Sequence, residues 1–211
     1  TLDPARGREA QRAFFVEHGT PGLGGFRIEK KMGLRAYEST SFTLQDCRVP
    51  ADRLLGGEEG PRRAGFRGAM RTFNAGRPVI AAQAVGIGRA ALDEALDFAR
   101  EAGLLGRERV RDRLERMARG LRQARLFCLR AGALADRERP NIVEASLAKA
   151  VAAARAQEAA GLAMELLGLV GGRGDHLVEK LHRDVKAMDI VEGTGQIQRL
   201  IVARRLLDLP R

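Results

Sequence analysis

Beyond about residue 58, apolar residues recur every three or four positions, which is the spacing of one face of an α-helix. The chain of 211 residues has no Trp, one Tyr and eight Phe. Its core must therefore consist mainly of Ala, Leu, Val and Ile, and such small and medium side chains suit closely packed helices. The sequence predicts a mainly α protein in which residues 57–211 form a four-helix-type bundle domain with extra short pieces.

The first two predicted helices each carry an apolar stripe. One covers about 58–99, and Pro78 inside it predicts a kink or a break near Gly76, because proline cannot donate a backbone hydrogen bond. The other covers about 107–137. The positions predicted to be buried are, in the first helix, Val85, Leu92, Leu96 and Ala99, and in the second, Val110, Leu114, Met117, Leu121, Ala124 and Cys128.

The third helix starts after Pro140, runs to about Leu167 and is apolar or Ala on nearly all sides, so we expect it to be the most buried. Asn141 and Glu144 have the spacing of a capping box at its start. A loop is predicted at the glycines that follow, then a short helix near 175–187 and a last helix capped by Thr194. The glycines are Gly168, Gly171, Gly172 and Gly174, and the last helix carries Ile197, Leu200 and Ile201 on one face.

Residues 1–56 are Gly-rich and contain short strand-like runs at 13–17, 26–30 and 41–46. Phe42 and Leu44 alternate with polar residues, which predicts a half-buried strand. A few short strands cannot bury two faces alone. We therefore expect this segment to be the C-terminal remnant of a β-domain with a few antiparallel strands, in a piece of a longer protein.

The formal net charge of +10 raises the expectation of a polyanionic partner. The Arg-rich stretch 107–125 nevertheless contains several acids, and pairs such as Asp112 with Arg116 have the i,i+4 spacing of a solvated helix face. A nucleic-acid-binding arm would carry fewer acids and more aromatic residues. Nucleic acid is therefore not the expected partner.

Cys47 and Cys128 are the only cysteines, and no metal-ligand spacing joins them to a histidine. No apolar run approaches the roughly 18 residues that a membrane-spanning helix needs. We expect no metal site, no membrane span and a cytoplasmic location.

The densest functional signal is the segment 190–199, in which Glu192 is followed by Gly193 and by Thr194 at a helix start. If the surrounding loop excludes water, such a carboxylate can act as a general base. It can also simply interact with the positive N-terminal end of the last helix. Spacing alone favours this second interpretation.

The segment resembles the signature near the C-terminus of acyl-CoA dehydrogenases, in which a Glu-Gly-Thr turn carries the catalytic base. Further stretches resemble the same family in the same order, over essentially the whole chain. They are residues 34–56, like the last strands of the middle β-domain; residues 76–82, like the start of the C-terminal helical domain; and Gly171–Gly174 with His182–Asp184, like its Gly-rich loop and Arg-Asp helix.

The resemblance implies an enzyme that oxidises acyl-CoA thioesters to 2-enoyl-CoA. A Glu removes the α-proton, FAD accepts the β-hydride, and the backbone N–H of the Glu donates to the thioester carbonyl. It further implies an electron-transferring flavoprotein as acceptor and a homotetramer built as a dimer of dimers. By position, the base is Glu192, the FAD contacts are Gly193, Thr194, Gln196, Gly171 and Gly172, and the substrate contacts are Phe73, Asn74 and Arg77.

One branch of the family carries its base on the helix that here contains Gly76. Glycine has no side chain that could remove a proton, which favours Glu192 as the base. Other positions depart from the family pattern. The stretch 100–107 lacks the usual Phe-Gly and no Gln follows it closely, Gly168 replaces another Gln, and Val191 replaces a common Tyr. Either FAD is held by other residues, or the chain is a non-catalytic or partner subunit of a heteromer. The net charge leaves a nucleic-acid-associated relative as a third alternative.

Overall fold

The computed structural model describes residues 5, 7, 10–56 and 64–209. Its elements are mostly helices, which confirms the predicted mainly α class. In chain order they are β1 (Leu23–Ile28), β2 (Thr40–Leu44), a single 3-10 turn (Ala51–Arg53), α1 (Ala64–Glu101), α2 (Glu108–Asp136), α3 (Ile142–Leu167), α4 (Leu169–Gly172), α5 (Leu177–Ile190) and α6 (Gly195–Leu206).

The chain divides into two compact units. One comprises residues 1–31 and 35–73, and the other comprises residues 32–34 and 74–211. Residues 57–63 lie outside the described ranges. The predicted domain boundary between residues 56 and 57 therefore stays a prediction.

The first unit contains a two-stranded antiparallel sheet. Leu23 pairs with Leu44 and Ile28 with Thr40, with an irregularity in the register between these ends. The predicted strand at 13–17 is wrong, since only an isolated bridge between Phe14 and Leu54 forms there.

The predicted half-burial of β2 is also wrong, because all of its residues are exposed and Phe42 is 54% exposed. Two strands form a single layer, and a single layer cannot bury its own faces. The rings of Phe26 and Phe42 contact each other at a centroid distance of 6.2 Å, which shields them only in part.

The helices of the second unit pack through small residues. A Cβ added at Gly88 of α1 would lie 2.5 Å from Leu121 Cδ2 and 3.0 Å from Ala156 Cα. Gly88 therefore lets α1 contact both α2 and α3 at short range. The other buried residues on this face of α1 are Ala81, Ala84, Ala91, Ala95 and Ala99.

This alanine face corrects the stripe that the sequence predicted for α1. Ala99 is buried as expected, whereas Val85, Leu92 and Leu96 are only half-buried and flank the contact. The reason is steric, because helix axes approach most closely where the facing side chains are smallest.

The α2 stripe is confirmed at all predicted positions except Cys128, which is half-buried. α3 contacts α2, α4, α5 and α6, and its buried residues include Ser146 and Lys149 among many alanines. Of the described helices it has the most buried residues, as predicted.

The predicted capping box at the start of α3 does not form. Asn141 occupies the N-cap, but its side-chain amide donates to Ala131 O at 3.1 Å instead of accepting from the helix. Glu144 pairs with Arg130 at 3.5 Å. The side chains thus tie α3 to the end of α2 rather than to its own first turn.

The sequence predicted either a kink or a break near Gly76. No break forms, because helix α1 continues through Pro78.

The predicted glycine loop is shorter than expected, because Leu169–Gly172 form the one-turn helix α4. In α6 the predicted apolar face is not buried, since Ile197 is 48% and Leu200 44% exposed. Gly195 and Gln198 are buried in its place.

The Arg183–Asp184 pair of α5 binds the short segment Met32–Leu34. Asp184, which is buried, accepts from Leu34 N at 2.6 Å, and Arg183 Nη1 donates to Met32 O at 2.6 Å. Gly33 between them has no room for a side chain, since an added Cβ would lie 2.7 Å from Asp184 Cα. The Arg-Asp motif therefore anchors this segment to α5.

Candidate functional site

Glu192 lies in the turn that joins α5 to α6. Its φ is 58° and that of Gly193 is 94°, so two consecutive residues have left-handed backbone. This conformation is ordinary for glycine and costs free energy for glutamate. Strained backbone of this kind persists where surrounding contacts enforce it, and it is concentrated at functional sites.

The Glu192 carboxylate occupies the space beside Gly76 of α1. A Cβ added at position 76 would lie 2.9 Å from Oε2 and 3.2 Å from Oε1 of Glu192. Oε2 is buried and has no hydrogen-bond partner among the described residues. A buried carboxylate oxygen without a partner is rare and costs about 1–3 kcal/mol, so it points to a function.

Arg77 follows Gly76 and brings a buried guanidinium to the same place. Its Nη1 donates to Asn74 Oδ1 at 2.7 Å and reaches Ser146 Oγ at 3.5 Å. Burial lowers the pKa of Arg77, and the negative charge of Glu192 acts in the opposite direction. Arg77 thus links Asn74 to the electrostatic environment of Glu192, and the predicted substrate contacts of Asn74 and Arg77 stay predictions.

Phe73 lies one residue before Asn74 in α1, where its side chain is 38% exposed. It belongs to the other compact unit of the chain. Its predicted contact with substrate stays a prediction.

Lys149 is a residue of this site that the sequence analysis missed. It is fully buried in α3, and its Nζ donates to Gly193 O at 2.7 Å. Burial lowers the pKa of Lys149 to about 8; Asp189 and Glu192 act to raise that pKa, and Arg77 acts to lower it. The signal was available, because Lys149 is a single cation within the alanine-rich run 145–153 of the helix predicted to be most buried.

Gln198 is a second missed residue and is also fully buried. Its Nε2 donates to Glu192 O at 3.0 Å and to Gly193 O at 3.2 Å. Its Oε1 is buried without a partner among the described residues. Of the two glutamines in the segment 190–199, the resemblance selected Gln196, which is exposed.

The residues predicted to contact FAD fall in two places. Thr194 is the N-cap of α6 but its side chain makes no capping hydrogen bond, so the first N–H groups of this helix lack a side-chain partner from the cap. Such a helix end suits phosphate oxygens. The predicted FAD contacts of Gly193, Thr194 and Gln196 stay predictions, and the open helix end is compatible with them.

Gly171 and Gly172 lie in α4, apart from the α6 terminus in sequence. Gly171 is buried, and a Cβ added there would lie 2.9 Å from Leu167 Cβ, so its lack of a side chain serves helix packing. Gly172 is exposed with open space around it. Their predicted role in binding FAD stays a prediction.

Residues 63–207 match the family model of the acyl-CoA dehydrogenase C-terminal domain, which is well over half of the chain. The chain belongs to the acyl-CoA dehydrogenase family. Every side chain of the site, from Asn74 to Gln198, lies inside the matched range of this acyl-CoA dehydrogenase domain.

Curated relatives cover nearly the whole chain. The mitochondrial short-chain specific acyl-CoA dehydrogenase of Mus musculus is 37% identical over 98% of this chain and 50% of its own length. The cyclohexane-1-carbonyl-CoA dehydrogenase of Geobacter metallireducens is 36% identical over 95% of this chain and 53% of its own. The chain thus spans about half the length of the curated relatives it matches.

Solved acyl-CoA dehydrogenases have the same fold. The butyryl-CoA dehydrogenase from Megasphaera elsdenii superposes with a TM-score of 0.89 at 32% identity, over 97% of this chain and 54% of that one. A glutaryl-coenzyme A dehydrogenase in complex with glutaryl-CoA gives a TM-score of 0.89 at 28% identity, over 99% of this chain and 53% of that one.

The described part of this chain has no helix long and apolar enough to cross a membrane.

Proposed function

We propose that this chain is the C-terminal part of an FAD-dependent acyl-CoA dehydrogenase in which Glu192 removes the α-proton of an acyl-CoA thioester. The observation that carries the proposal is the buried, unpartnered Oε2 of Glu192, held beside Gly76 by a strained turn. A general base needs a lone pair that no protein group already uses. Among the described residues, Oε2 meets that requirement.

Two cations act on Glu192. Arg77 and Lys149 are buried, and both interact electrostatically with Glu192. They attract the carboxylate before it takes the proton, so their role in this proposal is to hold the charged base in the site and not to drive the proton transfer.

FAD would supply the acceptor for the hydride that leaves the β-carbon of the thioester. We assign its contacts to Gly193, Thr194 and Gln196 at the α6 terminus and to Gly171 and Gly172 in α4. Phe73, Asn74 and Arg77 are assigned to the acyl-CoA substrate. The names of the relatives, which include short-chain and cyclic acyl-CoA dehydrogenases, support a CoA thioester as substrate class.

Further properties are proposed from the family. The electron acceptor is an electron-transferring flavoprotein, and the assembly is a homo-oligomer built as a dimer of dimers. A cytoplasmic location stays a prediction, since the relatives include mitochondrial enzymes.

A second candidate is a non-catalytic or partner subunit of a heteromer with a degenerate flavin site. Gly168, which replaces a family Gln, has φ 54° and ψ −127°, a backbone conformation that glycine adopts and other residues avoid. The backbone at this position therefore favours glycine over a residue with a side chain. This favours a chain that no longer offers a flavin contact at this position.

The test is the visible absorbance spectrum of the full-length protein, titrated with acyl-CoA thioesters of graded length. We expect a flavin band that bleaches with at least one thioester, and no bleaching in Glu192→Gln. Glu138→Gln is a matched control, because Glu138 is also a glutamate with positive φ after a helix end but is exposed. Absence of a flavin band after incubation with FAD would favour the partner subunit instead.

A further inference from the structure

Lys149 is the largest fully buried side chain among the described residues. Its neighbours along α3 are mostly buried alanines, which offer an ammonium group no compensation. A buried cation is unfavourable unless it is paired and hydrogen-bonded. Its presence in the most buried helix therefore needs a reason other than packing.

The hydrogen bond of Lys149 is made to the backbone of the Glu192 turn. Its Nζ donates to Gly193 O at 2.7 Å, whereas no carboxylate of the described residues lies within ion-pair distance. The charged groups that face it are Arg77 from α1, Asp189 from α5 and Glu192 from the turn. The ammonium thus donates to the peptide backbone of the turn, and the two carboxylates act on it only through longer-range electrostatics.

Gln198 completes this arrangement from α6. Its Nε2 donates to the carbonyls of both Glu192 and Gly193. The two successive carbonyls of the turn are therefore held by side chains from two different helices. Because peptide units are planar, fixing consecutive carbonyl groups also fixes the backbone N–H groups and the direction of the Glu192 side chain.

We propose that Lys149, assisted by Gln198, is a positioning residue that holds the Glu192–Gly193 turn in its left-handed conformation and so keeps the Glu192 carboxylate beside Gly76. This inference rests on the proposed role of Glu192 as base. Loss of the Lys149 donor lets the strained turn relax toward ordinary backbone angles, which moves the carboxylate away from the substrate α-carbon. A displacement of about 1 Å at a reacting group costs roughly 100-fold in rate.

The experiment measures proton removal separately from flavin reduction. The full-length protein is mixed in D₂O with a 3-thia-acyl-CoA, a thioester with sulfur at the β-position. This compound has α-protons that a base can remove but no β-hydride to transfer. Exchange of the α-protons for deuterium, followed by NMR at saturating ligand, reports the base, and the Kd is measured in parallel by titration.

The variants are Lys149→Met, Glu192→Gln and, as a matched control, Lys186→Met, which removes an exposed lysine of α5. We expect wild type and Lys186→Met to exchange at the same rate and Glu192→Gln not to exchange. Lys149→Met should exchange about 10- to 100-fold more slowly, with a Kd within about threefold of wild type, because the substrate contacts remain.

The outcomes separate this inference from the proposed function. No exchange in wild type would overturn the role of Glu192 itself. Exchange in wild type that is lost in Glu192→Gln but equal in Lys149→Met would overturn the positioning role alone. A weaker Kd for Lys149→Met with unchanged exchange at saturation would overturn it as well, because it would indicate a purely structural effect on binding.

Gln198→Met tests the same idea from the other helix that holds the turn. It removes the donor to Glu192 O and leaves the Lys149 bond to Gly193 O in place. The exchange rate should fall, by less than in Lys149→Met, with the Kd again retained. Exchange at the wild-type rate in a folded Gln198→Met protein would contradict the proposal.

Discussion

Replacing Lys149 with methionine should stabilise the folded protein at neutral pH. The pKa of Lys149 falls from 10.5 to about 8 on folding, mainly because of burial. Each unit of this difference corresponds to about 1.4 kcal/mol, so the charged lysine costs the folded state about 3 kcal/mol below pH 8. Methionine has a similar length and no charge, and Gly193 O keeps its bond from Gln198. Subtracting about 1 kcal/mol for the lost hydrogen bond leaves a net stabilisation of about 2 kcal/mol.

The pH dependence follows from the same values. Below pH 8 lysine is charged in both the folded and the unfolded chain, and the cost is fully present. Between pH 8 and 10.5 the unfolded chain binds a proton that the folded chain has lost, so wild-type stability rises with pH. The advantage of Lys149→Met should therefore shrink across this window.

The assay is urea unfolding of the full-length wild type, Lys149→Met and Lys186→Met at pH 7, 9 and 10, followed by circular dichroism. Only the difference between each variant and wild type is interpreted, so that other titrating groups cancel. A Lys149→Met protein that is less stable than wild type at every pH would refute the reasoning. It would mean that the charges of Asp189 and Glu192 stabilise the ammonium more than burial destabilises it.

Three glycine substitutions test the close contacts. In Gly76→Ala the new Cβ would displace the Glu192 carboxylate, so α-proton exchange should fall at least about tenfold while thermal stability holds; an unchanged exchange rate would exclude this contact. Gly33→Ala should lower the free energy of unfolding by about 1–3 kcal/mol in urea titrations, because its Cβ would meet the Asp184 backbone. An unchanged free energy of unfolding would show that the segment Met32–Leu34 can move away from α5. Gly168→Gln should destabilise the folded protein by about 1–3 kcal/mol, since its φ of 54° and ψ of −127° suit glycine. Calorimetry showing no loss of stability would mean that this position tolerates a side chain.

The helices were predictable because their apolar period is strong, and α2 shows this at five of its six stripe positions. The α1 stripe was predicted on the larger residues, such as Leu92 and Leu96, because sequence reasoning gives greater weight to larger apolar side chains. The structure buries alanines instead, since closeness of approach decides which face meets α3. That choice depends on the partner helix and is not visible in α1 alone.

The candidate site was predictable only through its motif. Glu192 and Arg77 were selected by resemblance, because a Glu-Gly-Thr turn has no distinctive period. Lys149 donates a hydrogen bond to the turn from a helix far away in sequence, and Gln198 donates to it from the helix that follows the turn. No spacing rule connects either side chain to Glu192. The strand alternation around Phe42 was misleading for a different reason, since alternation indicates which face can be covered but not whether a covering layer is present.

The position of Lys149 on α3 has a consequence for how the protein loses activity on heating. Loops that carry catalytic groups commonly open at a lower free energy than the core beneath them. Here the loop is hydrogen-bonded to the helix that contacts α2, α4, α5 and α6. Detaching the loop breaks the hydrogen bonds that Lys149 and Gln198 donate to it and exposes apolar surface of the central helix. Thermal inactivation should therefore coincide with global unfolding instead of preceding it.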